Sequence, residues 1–394
     1  MLAAAQMLGS SGLTVVVILG GIVAAQMAPR PSLATVPISM AIVATALTTI
    51  PASLLMRRIG RRAGFILGAS IGLVGGLVAA EAVILSNFLL FCVATLLMGS
   101  SMAFTQQYRF AAAESAPPER LSQAVSYVLV GSLGAAIVNP QLALAARRLV
   151  PGTLYAGSFV AVALLYAATI AVLSRLHVPP PSVPRPRVAG DEKHTPFATP
   201  QFKMAVFAGA CAYAVMSFVM TAAPISMHNL DHHGLEATTW VVQSHVLSMY
   251  LPSLFTGHLI ARFGERTVMM WGGALLACCA GVSLFGHHLM HYWLGLVALG
   301  LGWNLLFVAG TTLLARSVDP AHRHRAQALN DFTVFGSQAC ASLLAGLGVQ
   351  LLGWQALNLV TLPLLAVMIF TASRLRPPAP IVAPVSTVPS ESRS

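Results

Sequence analysis

"MRRIGRRAG" occupies residues 56–64 and "IARFGERTV" residues 260–268. Laid over each other, Gly60 falls on Gly264, Arg58 on Arg262 and Arg62 on Arg266, each pair 204 residues apart. The same offset brings "SQAVSY" (122–127) onto "AQALND" (326–331), through Gln123/Gln327 and Ala124/Ala328. Two independent matches at one offset indicate that the chain is built from two related halves.

The halves are made of apolar runs. The chain has 394 residues, 57% hydrophobic and 8% charged, with mean hydropathy +0.78. A soluble domain carries about one quarter charged residues, so this composition indicates a polytopic membrane protein. About twelve runs reach the ~20 residues needed to cross a hydrocarbon core. They lie near 8–28, 33–56, 63–84, 86–108, 123–146, 153–175, 203–226, 238–261, 267–286, 292–315, 327–350 and 354–373. These runs are too long for barrel strands and do not alternate, so the class is all-α. The first run lacks a basic leader and is expected to be a membrane helix, not a cleaved signal.

The charges orient the spans. With the N-terminus inside, the outer loops hold only Arg30, Arg147 and Arg148, and the remaining Lys and Arg lie at cytoplasmic ends. The net charge of +11 is thus accounted for by topology. No nucleic-acid motif accompanies it, so no nucleic-acid partner is expected; the partner is the lipid bilayer. The expected organisation is a six-helix bundle over 1–176, a Pro-rich cytoplasmic linker over 177–202, a second bundle over 203–376 and a disordered tail over 377–394. Cys92, Cys211, Cys278, Cys279 and Cys340 all fall in spans and are expected to be small core residues, not disulfides.

A Gly followed by basic residues after spans 2 and 8, with six-plus-six helices, resembles the major facilitator superfamily. That resemblance covers essentially the whole chain and implies two bundles rocking about a central site. The superfamily loop has an acidic residue three positions before its central Gly, where this chain has Arg57 and Ala261. The charge relay associated with that loop is therefore not carried over. "GSLGAAIVNP" in span 5 also lacks the full glycine pattern of the drug-antiporter signature.

Candidate ligands lie in spans 7 and 8. Met216 and Met220 are four apart, as are His245 and Met249, so each pair shares a helix face. Antiparallel packing of the two spans would set the four in two facing rungs, Met220 with His245 and Met216 with Met249. Thioether sulfur is soft and uncharged and favours Cu(I) over hard cations, and no carboxylate lies nearby to suit Mg or Ca. Met227, His228, His232 and His233, with His287, His288, Met290 and His291, would form an outer capture surface. With 16 Met and 12 His, about one such pair arises by chance, and Met98/Met102 is an example. An ionisable His245 inside a span is a functional-site signal.

Met-x-x-x-Met on span 7 with His-x-x-x-Met on span 8 resembles the CcoA-type copper importers of that superfamily. The resemblance implies a bacterial inner-membrane protein with both termini cytoplasmic, supplying copper for cytochrome oxidase assembly. It implies Met216, Met220, His245 and Met249 as the metal ligands, and copper as cargo with no resident cofactor. A periplasmic copper donor or cytoplasmic copper chaperone is the corresponding partner, and a monomer is expected. The alternative is a proton-coupled carrier of a small organic solute, with the methionines as packing. No nucleophile–base pair or phosphate-binding loop points to an enzyme. Of the other ionisable groups, His258 reads as structural, Arg109 and Glu114 as a gate pair, Asp331 as a charge at the start of span 11, and Glu81 as an acid near the outer end of span 3.

Overall fold

The computed structural model describes residues 1–30, 33, 36–176, 196–227, 231–319 and 322–375, and the described chain is helical without strands. Most of the expected linker, the expected tail and His228 lie outside the described residues. In the first half, α1 (Leu2–Gly9) and α2 (Ser11–Met27) form one bent passage. It is followed by α3 (Val36–Ile59), α4 (Arg61–Ile84), α5 (Phe88–Thr105) with its continuation α6 (Tyr108–Ser115), α7 (Leu121–Ala146) and α8 (Ala156–Ser174). The second half contains α9 (Pro200–Ile225), α10 (Leu235–Tyr250), α11 (Ser253–Ser283), α12 (Leu289–Ser317), α13 (Arg323–Leu359) and α14 (Leu362–Ser373).

Among the described residues, nine helices are long and apolar enough to cross a membrane, or ten with the bent first pair. The remaining passages of the expected twelve are hidden inside two continuous helices. α11 turns at Gly264 (φ 78, ψ 160) and α13 at Gly353 (φ 74, ψ 173). The part of α11 before Gly264 continues α10 past Pro252, which lacks the N–H that an unbroken helix would use. Gly60 (φ 84, ψ 161) holds nearly the same backbone conformation as Gly264. The sequence repeat is therefore also a repeat of backbone geometry. Nothing lies within 4 Å of a Cβ built on either glycine, so it is the positive φ, not space, that demands Gly.

α9 begins three residues before the expected 203. The Thr199 hydroxyl accepts from the Phe202 N–H at 3.2 Å, and Pro200 fills the first turn, where a missing N–H costs nothing. Each half has its own apolar core. One is built from first-half residues such as Phe65, Phe91, Phe159 and Tyr166, the other mainly from second-half residues such as Val219, Leu299, Trp303 and Phe335. Cys92, Cys211 and Cys279 are buried as expected, but Cys278 and Cys340 are exposed. A helix without water on any side can turn a small apolar thiol outward, so lying within a span did not imply lying in the core.

The halves meet along α3 against α13 and along α7 against α10 and α11. At the α7–α11 crossing, a Cβ on Gly257 would come 2.6 Å from Gln123 Cα, so the two backbones touch.

Candidate functional site

The inter-bundle hydrogen bonds cluster toward one end of the molecule, the basic end where Gly60 and Gly264 turn. The Arg61 guanidinium donates to both Glu114 carboxylate oxygens, Nε at 3.2 Å and Nη2 at 2.6 Å, within the first half. Nη2 also donates to Gln327 Oε1 of the second half at 2.6 Å, while Gln327 Nε2 donates to Glu114 at 3.0 Å. Arg61 Nη1 donates to Gln107, and Gln107 Nε2 donates across the interface to Asp331 at 2.9 Å. Arg109 completes the chain with an ion pair to Asp331. Arg109 is 1% exposed and Asp331 0%, so this charge pair is fully desolvated. The Arg109 guanidinium also sits over the rings of Phe110 and Phe307, 4.6 and 4.8 Å from their centroids. Ser53 donates to the His324 carbonyl at 2.7 Å, and Ser122 to the Gly257 carbonyl at 2.8 Å.

The repeat extends into these ion pairs with its signs reversed. Glu265 stands at the repeat position of Arg61, and Arg316 donates to it at 2.7 Å. Arg316 also reaches the Pro118 carbonyl of the first half, at 3.3 Å.

Several sequence expectations change here. Arg109 and Glu114 do both belong to the gate, but each has a different partner, Asp331 and Arg61 respectively. Asp331 is not at a helix start. α13 begins at Arg323, two turns earlier, because the polar run "RHRAQALND" is helical and packs in the interface. His258 is exposed, its ring edge-on to Tyr127 at 6.3 Å.

The four candidate ligands are not set in facing rungs. α9 and α10 share little contact along their lengths; α12 packs against both and runs between them. Met216 is buried in the second-half core and Met220 packs against that core. His245 is fully buried and turned toward α12, its Nδ1 donating to the Leu296 carbonyl at 2.7 Å. That bond fixes the tautomer, leaving Nε2 with a lone pair and no partner among the described residues. Met249 is buried one turn further along, its carbonyl accepting from Asn304 at 2.6 Å.

The outer histidines mostly fasten loops. His287 Nδ1 bonds the Asp231 carboxylate at 2.9 Å, Tyr292 donates to the same oxygen, and His233 Nε2 donates to the His287 carbonyl at 2.9 Å. His288 Nδ1 caps α12 by accepting from the Met290 N–H. Among the described residues, no three His, Cys, Asp or Glu converge in a way that could hold a metal.

Two bundles of this topology, joined by a polar gate at one end, define a membrane carrier. The chain belongs to the Major Facilitator Superfamily, whose family model matches residues 1–239 and 205–391. It is 40% identical over 382 residues to the riboflavin transporter RfnT of Brucella anthropi, covering 95% of this chain and 94% of that one. The uncharacterised transporter YdeG of Bacillus subtilis is 30% identical, over 94% of this chain and 90% of its own. Among solved structures, the transporter FucP in its outward conformation superposes with a TM-score of 0.75 at 13% identity, covering 95% of this chain and 98% of that one. A bacterial homologue of the iron transporter ferroportin, outward-facing, superposes with a TM-score of 0.71 at 16% identity over 95% and 98% of the two chains. At these identities the superpositions speak for fold alone.

Proposed function

We propose that this chain is an inner-membrane importer of a flavin-class organic solute, working by alternating access. The observation that carries the reading is the 40% identity to a riboflavin transporter over nearly the full length of both chains. The geometry supports a carrier of this kind in two ways. The basic end is tied shut by a buried polar network, and the positive-inside rule puts that end in the cytoplasm. The chain as it stands is then closed inward and ready to load from outside, with both termini in the cytoplasm. Second, the soft donors of α9 and α10 are separated by α12 and do not form one ligand cage. Expression in a riboflavin-auxotrophic bacterium without a flavin importer tests the reading. Growth on micromolar riboflavin supports it; growth no better than the empty vector, with the protein in the membrane, overturns it.

Copper import is the second reading, and one observation favours it. The Leu296 carbonyl fixes the His245 ring with its Nε2 lone pair buried and unpaired, as an outer-sphere partner does for a metal-bound imidazole. Met249 lies one turn away on the same helix, and Met216 and Met220 on α9 would have to approach in another conformational state. Cu(I) would then arrive from a periplasmic donor or pass to a cytoplasmic chaperone, serving cytochrome oxidase assembly. Met220→Leu keeps side-chain volume but has no sulfur. On this reading it abolishes copper accumulation, and normal accumulation by that variant overturns it.

A further inference from the structure

The second bundle carries a cluster of aromatic rings beside the Arg109–Asp331 pair, meeting the gate through Phe307. Five rings meet from four helices: Tyr213 on α9, Tyr250 on α10, Trp303 and Phe307 on α12, and Phe335 on α13. Trp303 and Phe307 stack at 5.1 Å with an interplanar angle of 20°. Tyr213 stands edge-on to Trp303, Phe307 and Phe335 at 5.2, 5.1 and 5.5 Å, and Tyr250 stands edge-on to Trp303 at 5.7 Å.

Packing alone accounts for the rings but not for their polar tips. Trp303 is 1% exposed, yet its Nε1–H has no acceptor among the described residues. Indole N–H and phenol O–H groups normally find partners when buried, and leaving one unpaired is costly because its lost hydration is not replaced. Among the described residues the Tyr213 and Tyr250 hydroxyls make no hydrogen bond, and neither oxygen is enclosed, so both remain open to a ligand. Buried Arg109 adds an unpaired Nε–H beside Phe307. A core built only for stability would avoid the stranded indole and guanidinium N–H groups. Flat apolar faces with a few convergent unpaired polar tips are the make-up of a small-molecule site.

We infer that Tyr213, Tyr250 and Trp303 form the ring-recognition face of the transport site, taking a planar fused heterocycle whose edge bears carbonyl acceptors. The ring contacts aromatic faces of the cluster, and the indole N–H and the two phenols bond its polar edge. α9, α10 and α12 all contribute, so ligand and bundle conformation are linked: rearranging these helices remakes or breaks the face. Phe307 connects the cluster to Arg109, so occupancy is felt at the gate pair. This assignment rests on the flavin-class reading.

The test uses purified full-length protein and the quenching of riboflavin fluorescence on binding. Trp303→Phe keeps an aromatic face but removes the N–H, and Tyr213→Phe and Tyr250→Phe each remove a single oxygen, so all three leave the bundle intact. Each is expected to weaken riboflavin binding about 5- to 20-fold, since 1.4 kcal/mol is tenfold. Leu259→Val, outside the cluster, should bind as wild type. Lumichrome, which keeps the fused ring and its carbonyl edge but lacks the ribityl chain, should compete in the wild type and lose affinity in the same three variants. If wild-type protein binds riboflavin and the three variants bind it equally well, the recognition face is refuted and the flavin reading stands. If wild-type protein binds neither riboflavin nor lumichrome, the flavin reading falls and the assignment falls with it.

Discussion

Asp331→Asn removes a charge from the most deeply buried ion pair among the described residues while keeping the side chain's shape. Arg109, 1% exposed, then faces a neutral amide. Removing one member of a buried ion pair costs about 3–5 kcal/mol, because the other charge is left uncompensated. Arg109 keeps its bond to Gln106 at 2.9 Å and its two aromatic faces, so the low end of that range applies. The cost falls on the state in which the bundles meet at the basic end, since Arg109 and Asp331 come from different bundles. About 3 kcal/mol corresponds to roughly a 100-fold shift toward the state open at that end. The assay is maleimide labelling in a background lacking the native cysteines, with Ser53→Cys as reporter. Ser53 is 0% exposed and bonded to His324 across the closed interface, so it reacts only when that interface parts. Asp331→Asn should raise the labelling rate by up to about 100-fold. Adding Arg109→Gln removes the stranded charge and should bring the rate back toward its starting value. An unchanged rate in Asp331→Asn, or no recovery in the double variant, would refute the argument.

Other parts of the structure give sharper single tests. Gly257→Val should prevent the basic end from closing, because its Cβ would lie 2.6 Å from Gln123 Cα; uptake is lost at normal expression, and full uptake contradicts the backbone contact. Ala at Gly60 or at Gly264 should each destabilise by about 1–3 kcal/mol, because both hold the same positive-φ, extended-ψ conformation that only Gly adopts readily; thermal unfolding in detergent measures it, and a large inequality counts against the repeat. Ser253→Cys with Asn304→Cys should crosslink, since these side chains meet at 2.7 Å, whereas Met220→Cys with His245→Cys should not. The reverse pattern would restore facing rungs on α9 and α10.

What the sequence made legible follows from what each signal measures. Hydropathy reports burial in lipid along a chain, so the spans were readable, and the paired glycines carry the same φ and ψ because only Gly relieves that conformation. Hydropathy does not report which helices pack. Spans 7 and 8 are joined by a short loop, yet α12 comes between them, and nothing local to "MSFVM" or "HVLSM" encodes that. Gln327 was visible as a repeat position, but its role as the group bridging Arg61 and Glu114 needs the other bundle in place. Asp331 was misplaced because the polar run at 323–331 looks like a loop when the interface that buries it is out of view. Nothing in the sequence around Trp303 sets it apart, and only the missing partner of its buried indole N–H distinguishes it.

Side-by-side uptake of radiolabelled riboflavin and of Cu(I) into proteoliposomes containing only this chain tests the central claim most directly. The account predicts that riboflavin enters, that excess lumichrome inhibits its entry, and that Met220→Leu transports it as wild type does. Copper entering while riboflavin stays outside, with Met220→Leu abolishing the copper flux, would contradict it.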